Sequence, residues 1–434
     1  MAAQTDTAPT PSTSTPAPPR TGLAAALHQP RSVWAIAFAA TVSFMGVGLV
    51  DPILPAISNE LGATHTQAML LFTSYLFITA IAMFFTSWIA SRLGTRTTLL
   101  AGLVLIIVFA GLAAAGVSVD EIIMLRGGWG LGNALFVSTA LAAIVGATTG
   151  PSSGAIMLYE TALGIGMAVG PLLGGLLGSW SWRAPFAGTA ILMGLGAVAI
   201  AVLLERPTSR PARISPWAAI RVLANPALRT LAVTAVFYNF AFFAMLAYSP
   251  FPLEAAAARQ GSTLGAMGIG GVFFGWGTGL ALTSVLVAPV LTRAFGLVRT
   301  LVATFAALTA VMLAMAAAHR SLMLMVVLIV LGGLLQGVVN TALTETVMEA
   351  TDLPRSVASS AYSGVRFFGG AVSSAAAGPI AAAFGAPVPY AVAAGALVVA
   401  IVMLTAGRRH LALVSRPHMP AQDEAAAIAA GDEI

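Results

Sequence analysis

Apolar stretches of about 20 residues, separated by short polar connections, follow one another along most of the chain. A helix of that length crosses the roughly 30 Å hydrocarbon core of a bilayer. Six such stretches lie near 33–54, 67–90, 98–117, 122–147, 154–177 and 184–204, and six more near 231–251, 264–291, 300–318, 322–347, 356–384 and 388–406. The pattern predicts an all-α integral membrane protein with twelve transmembrane helices.

The longest polar interruption, 205–229, carries five arginines and several prolines and separates two sets of six helices. We therefore predict an N-terminal six-helix bundle over 31–204, a cytoplasmic linker over 205–229 and a C-terminal six-helix bundle over 230–407. Residues 1–30, rich in Thr, Ser, Pro and Ala, are expected to form a disordered cytoplasmic tail, and 408–434 a second tail. No A-x-A-like cleavage site follows the first apolar stretch, so we expect it to remain as the first helix.

The composition excludes a soluble protein, because 58% of the residues are hydrophobic, 8% are charged and the mean hydropathy is +0.93. All twenty basic residues are arginine, and most flank the apolar stretches, so the net charge of +5 indicates membrane topology and no nucleic-acid partner. Fifteen arginines fall on one face of the predicted topology and three on the other. This bias predicts a multi-pass inner (plasma) membrane protein with both termini cytoplasmic.

Short motifs recur in the two halves at an offset of a little over 200 residues. GPLLGG from Gly170 matches GPIAAA from Gly378, and GLGNAL from Gly130 matches GVVNTA from Gly337. RLGTR after the second helix likewise matches RAFGLVR after the eighth. Repeats of this kind are typical of transporters built from a duplicated bundle.

Few ionisable residues lie inside the predicted helices, and burying each costs about 2.5–3.5 kcal/mol on translocon scales. Asp51 lies late in the first helix and Arg126 early in the fourth, which runs the opposite way, so we expect them at a similar depth. A carboxylate that exchanges a cationic partner for a proton would couple a proton gradient to solute movement. A fixed ion pair between the two helices is the alternative.

Glu160 in the fifth helix is a candidate second proton carrier or an anchor for a cationic substrate, and a lock between helices is the alternative. Arg366 lies in the matching region of the eleventh helix and is predicted to be a structural charge. Glu345 and Glu349, one turn apart, are explained by a solvated helix end.

The seventh helix carries aromatic side chains interspersed with polar groups, a combination that binds large amphipathic molecules through area and a few hydrogen bonds. We predict a substrate-binding surface formed by Tyr238, Asn239, Phe242, Phe243 and, from the tenth helix, Asn340. Packing within the bundle, or an aromatic belt at the membrane interface, is the alternative.

The chain has no P-loop, no clustered histidine ligands and no cysteine. We therefore expect no cofactor and no metal site, with an ion gradient as the energy source. Protons are favoured over sodium because no cage of oxygen ligands is evident, although a sodium site made of backbone carbonyls would leave no sequence signal.

These motifs resemble those of the major facilitator superfamily, specifically its twelve-helix drug:proton antiporters, from about Val33 to Ala406. LRGGWGLGNA from Leu125 resembles the family's fourth-helix motif, which implies a role in proton coupling for Arg126. MGVGLVDPILPAI resembles the segment in which some multidrug exporters keep a membrane-embedded acid, here Asp51. GIGMAVGPLLGG resembles the antiporter motif associated with exporters, which implies a conformational role for Gly166, Gly170, Pro171, Gly174 and Gly175.

The loop between the second and third helices matches its family pattern, G-x-x-x-D-R-x-G-R-R, only in part. SWIASRLGTRT keeps Arg92, Gly94 and Arg96. It has Ser87 for the first glycine and Ser91 for the acid, so the acid that locks this loop in the family is missing.

The favoured function is proton-coupled export of a hydrophobic or amphipathic small molecule by a monomer whose two bundles alternate access to a midplane site. One alternative is a proton-symport importer of a nutrient, and another is a membrane receptor or scaffold that does not transport. An enzyme acting on lipids is less favoured, because no nucleophile and base stand out in the helices.

Overall fold

The computed structural model describes residues 29–147, 152–205, 213–349 and 355–411, and these residues form helices without any β-strand. The predicted tails over 1–30 and 408–434 lie almost wholly outside the described residues. Twelve long helices follow one another: α1 (Arg31–Gly48), α2 (His65–Leu93), α3 (Thr95–Ala115), α4 (Val119–Ala147), α5 (Ser152–Gly178), α6 (Ala184–Leu203), α7 (Pro226–Phe243), α8 (Ala266–Leu286), α9 (Leu297–Ala318), α10 (Leu322–Glu349), α11 (Arg355–Phe384) and α12 (Val388–Ala406).

Counted over the described residues, eleven of these helices are long and apolar enough to cross a membrane. The remaining one, α4, has 29 residues and extends about 43 Å at 1.5 Å per residue. Arg126, Asn133 and four glycines lie in its first half, whereas its second half, 134–147, carries no charged residue. It packs against α2 and α3 inside the N-terminal half. The predicted twelve-helix membrane fold is therefore confirmed.

Three helices are interrupted at prolines, where the sequence pattern predicted continuous spans. The predicted first span, 33–54, stops at Gly48 and gives way to a 3-10 turn, Asp51–Ile53, and a short helix, Leu54–Leu61. The predicted eighth span divides at Val287, where Ala288–Phe295 begins with Pro289 in its first turn. Helix α7 continues as a π-helical turn, Ala244–Tyr248, before Pro250–Arg259 starts a new helix.

The helices pair in the same way in both halves. In the N-terminal half α1 packs on α5 and α6, α2 on α4, and α3 on α4 and α6. In the C-terminal half α7 packs on α11 and α12, α8 on α10, and α9 on α10 and α12. The halves meet mainly through α2 against α11 and α5 against α8. This correspondence is the structural counterpart of the repeated sequence motifs.

The repeated loops after α2 and α8 also share one backbone conformation. Gly94 has φ 83° and ψ 152°, and Gly296 has φ 78° and ψ 158°. A positive φ of this size favours glycine, and each glycine lets the next helix begin at the following residue. Both loops lie at the end of the bundle where α1 begins and α12 ends, which we call the terminal end.

The connection between the halves is helical over part of its length. The described residues include the short helix Ala218–Arg221 and the 3-10 turn Val222–Ala224. Helix α7 begins at Pro226, inside the segment predicted as linker, because the Asn225 side chain accepts hydrogen bonds from the backbone N–H groups of Ala227 and Leu228 at 2.9 and 3.2 Å.

Candidate functional site

Arg126 is fully buried in the N-terminal half, between α4 and α2. Its guanidinium carbon lies 4.4 Å from the ring centroids of both Tyr75 and Trp129. Its Nε donates a hydrogen bond to the Leu71 carbonyl oxygen at 3.4 Å. The aromatic faces attract the positive charge through their quadrupoles, which offsets part of the cost of removing it from water.

Polar contacts continue along α4 and tie it to α1 and α2. Ser43 Oγ donates to Asn133 Oδ1 at 2.6 Å, and Thr79 Oγ1 donates to the Gly130 carbonyl oxygen at 3.0 Å. One turn from Asn133, the indole of Trp129 covers Gly46 of α1. Because α1 and α4 are antiparallel, one further turn brings Arg126 level with the end of α1, where the turn Asp51–Ile53 begins.

Two predicted proton-coupling side chains lie outside the described part of the structure. The structure places the backbone of Asp51 at the first position of the 3-10 turn and that of Glu160 in the first third of α5. The side chains of Glu345 and Glu349 likewise lie outside the described part of the structure. Pairing of Asp51 with Arg126 therefore stays a prediction.

The glycines of the predicted antiporter motif bring α5 into backbone contact with two helices. A Cβ atom on Gly166 would lie 2.5 Å from the Thr41 carbonyl oxygen, and one on Gly170 would lie 2.6 Å from that of Met45, both in α1. Gly174 meets Leu49 in the same way. Gly175, on another face, would approach the Ala266 carbonyl oxygen of α8 to 2.6 Å, so α5 contacts both its own half and the opposite half.

Helix α5 does not end at Pro171, and α11 does not end at the matching Pro379. The Pro171 carbonyl oxygen faces Gly270 of α8, 2.5 Å from where a Cβ atom would lie. The motif therefore lies directly at the contact between the two halves.

A buried polar cluster in the C-terminal half joins α7, α8 and α10. The Tyr238 hydroxyl lies within hydrogen-bonding distance of the Gln336 carbonyl oxygen, at 3.2 Å, and of Asn340 Oδ1, at 3.3 Å. Trp276 Nε1 donates to Gln336 Oε1 at 2.8 Å. Asn340 occupies the repeat position of Asn133, and each asparagine bonds the first helix of its own half.

Sequence inspection missed Gln336 and Trp276. An amide in the middle of an apolar helix was a visible signal, because such a group needs a buried partner. The indole partner on α8 gave no signal of its own, since a tryptophan in a span is more often an interface residue.

The predicted aromatic surface of α7 is packed inside the C-terminal half, and Tyr238, Asn239, Phe242 and Phe243 are each at most 2% exposed. The Phe242 ring lies 5.5 Å from that of Trp276 and 5.1 Å from that of Phe243, centroid to centroid. The Asn239 amide donates to the Ala235 carbonyl oxygen of its own helix at 2.9 Å. The structure thus brings Tyr238 and Asn340 together, whereas the Asn239 amide bonds within α7.

Arg366 is half-buried on α11 and near this cluster. The hydroxyl-bearing side chains of Tyr362 and Tyr238 lie near its guanidinium group. The guanidinium carbon lies 5.7 Å from the Phe367 ring centroid. Its predicted role as a structural charge stays a prediction.

Hydroxyl groups join the halves near the altered loop motif. Ser360 of α11 lies 2.9 Å from Ser87 and 3.2 Å from Thr86 of α2, oxygen to oxygen. We call these three residues the hydroxyl clasp. Sequence inspection identified Ser87 only as a departure from the family pattern and missed its partner, because nothing in the chain indicates which α11 residue faces α2.

Ser91, which replaces the acid of the family pattern, bonds the connection between the halves. Its Oγ donates to the Trp88 carbonyl oxygen at 2.7 Å and accepts from the Ile214 backbone N–H at 3.2 Å. Arg96 donates to the Ala201 carbonyl oxygen at the end of α6, at 2.6 Å, whereas Arg92 is exposed. The loop is therefore held by neutral hydrogen bonds and one arginine.

Searched over its described residues, the structure has no group of three or more His, Asp or Glu side chains able to hold a metal ion.

Comparison with known proteins identifies the family. The model of the Major Facilitator Superfamily matches residues 36–277, which is more than half of the chain. This chain belongs to the Major Facilitator Superfamily. The resemblance inferred from the motifs is confirmed, and membership of this superfamily makes the chain a multi-pass membrane transporter rather than an enzyme.

Relatives within the superfamily agree with this assignment. The multidrug efflux protein YfmO of Bacillus subtilis is 48% identical over 399 residues, which cover 92% of this chain and 98% of YfmO. The putative multidrug resistance protein MdtD of Klebsiella pneumoniae is 25% identical over 205 residues, 46% of this chain and 43% of MdtD.

Solved superfamily structures share the fold. A point mutant of the nucleoside transporter NupG has a TM-score of 0.72 at 11% identity, covering 87% of this chain and 99% of NupG. The human organic anion transporter MFSD10 has a TM-score of 0.67 at 16% identity, covering 86% and 99%.

Proposed function

We propose that this protein exports hydrophobic or amphipathic small molecules in exchange for protons. The observation that carries the proposal is the 48% identity to YfmO, a multidrug efflux protein, over nearly the full length of both chains. The likeness extends over 92% of this chain and 98% of YfmO, so it includes both halves of the transporter.

Proton coupling is proposed for the region where α1, α2 and α4 meet. Arg126 is held in an apolar interior by Tyr75 and Trp129, at the level where Asp51 begins the turn after α1. A nearby guanidinium favours the charged carboxylate, and separation of the two groups favours its protonation. Asp51 would take up a proton when movement of α1 relative to α4 separates it from Arg126, and would lose the proton when the two groups meet again. Glu160 is a second candidate proton carrier.

Alternating access is proposed to occur by movement of one half against the other at the α2–α11 and α5–α8 contacts. Gly166, Gly170 and Gly174 let α5 lie directly on α1, while Gly175 and Pro171 lie on α8. Tyr238, Phe242, Phe243 and Asn340 are the proposed substrate contacts. They are packed within the C-terminal half, so a substrate would reach them only if α7 also moved against α8, α10 and α11.

The proposed location is the inner (plasma) membrane, with the terminal end of the bundle in the cytoplasm. The described arginines at that end include Arg92, Arg96, Arg293 and Arg299, whereas Arg183 lies at the other end. Cytoplasmic loops retain arginine in excess, which supports this orientation.

Substrate-driven proton movement in proteoliposomes tests the proposal. Purified protein is reconstituted into vesicles with an acidic lumen that contains the pH dye pyranine, and neutral pyrenebutyramide is added outside. Wild type is expected to make the lumen more alkaline, because protons leave as the amide enters. Asp51→Asn is expected to reduce that rate on the order of tenfold, equivalent to about 1.4 kcal/mol.

Glu60→Gln is the matched control, because Glu60 is an exposed carboxylate only nine residues away. It should retain the wild-type rate. If Asp51→Asn also kept that rate, coupling through Asp51 would be wrong. If wild-type protein moved no protons, or moved them together with the amide, proton-coupled export would be wrong.

A further inference from the structure

Arg366 carries a positive charge inside the membrane, and none of the acidic side chains that the structure describes lies at the same depth in the bilayer. The described acidic side chains all lie at helix ends or in connections: Glu60, Asp120, Glu121, Glu205 and Glu254. Arg366 lies eleven residues into α11, about 16 Å along the helix from Arg355. An intramembrane charge at such a position is expensive, so a compensating group is expected.

Among the described side chains near Arg366, which include Tyr362, Tyr238 and Phe367, none carries a negative charge. Tyr362 and Tyr238 lie near the guanidinium group, whose carbon is 5.7 Å from the Phe367 ring centroid. Its Nε is buried with no hydrogen-bond partner among the described residues. A buried donor left unsatisfied costs about 1–3 kcal/mol, more when the group is charged.

This face of α11 turns towards the aromatic part of α7. Gly369 and Gly370, within one turn of Arg366, pack against Val236 and Phe243. The ring centroids of Phe243 and Phe367 are 6.5 Å apart. The Arg366 guanidinium group therefore lies beside the aromatic rings of Phe243 and Phe367. Helix α11 also forms the contact with α2 of the opposite half.

The two arginines inside the helices differ in how their charge is accommodated. The Arg126 guanidinium is 4.4 Å from two aromatic rings, while the Arg366 guanidinium is 5.7 Å from one. Arg126 is fully buried and Arg366 only half-buried. Arg366 is thus the one of the two that retains access for a further ligand.

We infer that Arg366, together with Tyr238 and Tyr362, binds the acidic group of an amphipathic organic anion. The carboxylate or phenolate of the substrate accepts hydrogen bonds from the guanidinium, while its apolar body lies against Phe243 and Phe367. Charge-assisted hydrogen bonds of this type are about twice as strong as neutral ones, so the acid is bound in preference to its neutral analogue. The inference rests on the proposed function and defines its substrate class.

Binding of a matched pair of probes tests this inference without a proton gradient. Pyrenebutyric acid and pyrenebutyramide share one aromatic body and differ in charge at neutral pH. Binding to purified full-length protein is measured by energy transfer from its seven tryptophans to pyrene. Wild type is expected to bind the acid on the order of tenfold more tightly than the amide.

Arg366→Gln should abolish this preference by weakening acid binding while amide affinity stays unchanged. Arg366→Lys should retain part of it, since a lysine keeps the charge without the planar donor pair. Arg320→Gln, at an exposed position in a connection, is the matched control and should bind both probes as wild type does. Unchanged amide affinity also reports a folded variant.

Three results would overturn the inference: no preference for the acid in wild type, the same preference in Arg366→Gln, or equal weakening of both probes by that variant. If Arg366→Gln does not fold, the inference is tested by the preference of the wild type for the acid and by the partial preference expected for Arg366→Lys. If pyrenebutyramide drives proton movement but the wild type does not prefer pyrenebutyric acid, this inference is wrong and the proposed function stands. Absence of amide-driven proton movement would instead remove the proposed function.

Discussion

At the residue scale, the flat guanidinium of Arg126 matches its surroundings better than any other cation would. Tyr75 and Trp129 both lie 4.4 Å from it, and its Nε also donates to a backbone carbonyl oxygen. A lysine ammonium is a more strongly hydrated point charge, and it cannot stack on two rings while donating in this direction. Charge alone is therefore insufficient at this position.

We predict that Arg126→Lys lowers proton-driven transport on the order of tenfold, because cation–π contacts contribute about 0.5–2 kcal/mol each. The rate of lumen alkalinisation in the pyranine assay measures the effect. Arg183→Lys is the control, because Arg183 also stacks on a tryptophan, with 4.1 Å between its guanidinium carbon and the Trp182 ring, but lies at a bundle end. A wild-type rate for Arg126→Lys would contradict a specific guanidinium role.

At the element scale, α5 is positioned by the absence of side chains on one face. Gly166, Gly170 and Gly174 recur every four residues, so they line up along the helix and meet the backbone of α1. Association of helices in a bilayer depends on such close packing, since lipid is as apolar as a leucine side chain. A single methyl group on this face would have to separate two backbones.

Gly170→Ala is accordingly expected to lower the thermal stability of the detergent-solubilised protein and to reduce transport. The added Cβ would lie 2.6 Å from the Met45 carbonyl oxygen, and a backbone atom cannot turn aside as a side chain can. Overpacking of this kind costs about 1–3 kcal/mol. The melting midpoint measured by tryptophan fluorescence reports the change.

Gly194→Ala provides the comparison, because a Cβ atom at Gly194 of α6 would have no neighbour within 4 Å. It should leave the melting midpoint unchanged or raise it slightly, since alanine favours a helix over glycine by about 0.5–1 kcal/mol. Equal destabilisation by both substitutions would rule out the α1–α5 contact as the cause.

At the scale of the whole molecule, the halves touch near both ends of the α2–α11 pair. At the terminal end the hydroxyl clasp joins Ser360 to Ser87 and Thr86. At the other end Gly378 packs against Thr66, and the rings of His65 and Phe251 stack at 4.3 Å. In alternating access the two ends open in turn, so movement of one half against the other has to break the contacts at one end while those at the other end remain.

A disulfide in the clasp is predicted to stop transport. The Ser87 and Ser360 oxygens lie 2.9 Å apart, so their side chains point towards each other, and Ser87→Cys with Ser360→Cys is expected to crosslink under oxidation. The chain has no native cysteine, so the new bond is unambiguous on a gel after cleavage in the connection between the halves. Reductant should restore the rate of proton movement.

Each single-cysteine variant is the control and should transport equally with and without oxidant. If the crosslinked transporter moved protons as fast as the same protein after treatment with reductant, the terminal end would not need to open during transport. Failure of the pair to crosslink would contradict the α2–α11 geometry.

Much of the architecture followed from the sequence, because the bilayer imposes its own rule. A helix must satisfy its backbone hydrogen bonds internally and expose apolar side chains for about 20 residues, and both demands appear as local patterns. Local patterns also revealed the duplicated motifs, the glycines of α5 and the arginine of α4. The breaks after Gly48, at Val287 and after Tyr248 were less visible, since a proline within a span is also tolerated without a break, as at Pro171.

The sequence by itself determined that this chain is a helical membrane protein made of two related halves, because hydropathy and repeat spacing are properties of the chain alone. Only the tertiary structure decided which side chains share a site. Trp276 meets Gln336 across 60 positions and Ser87 meets Ser360 across 273, and such contacts depend on how the helices cross and rotate. Helix rotation arises from the summed packing of many side chains, so no local pattern contains it.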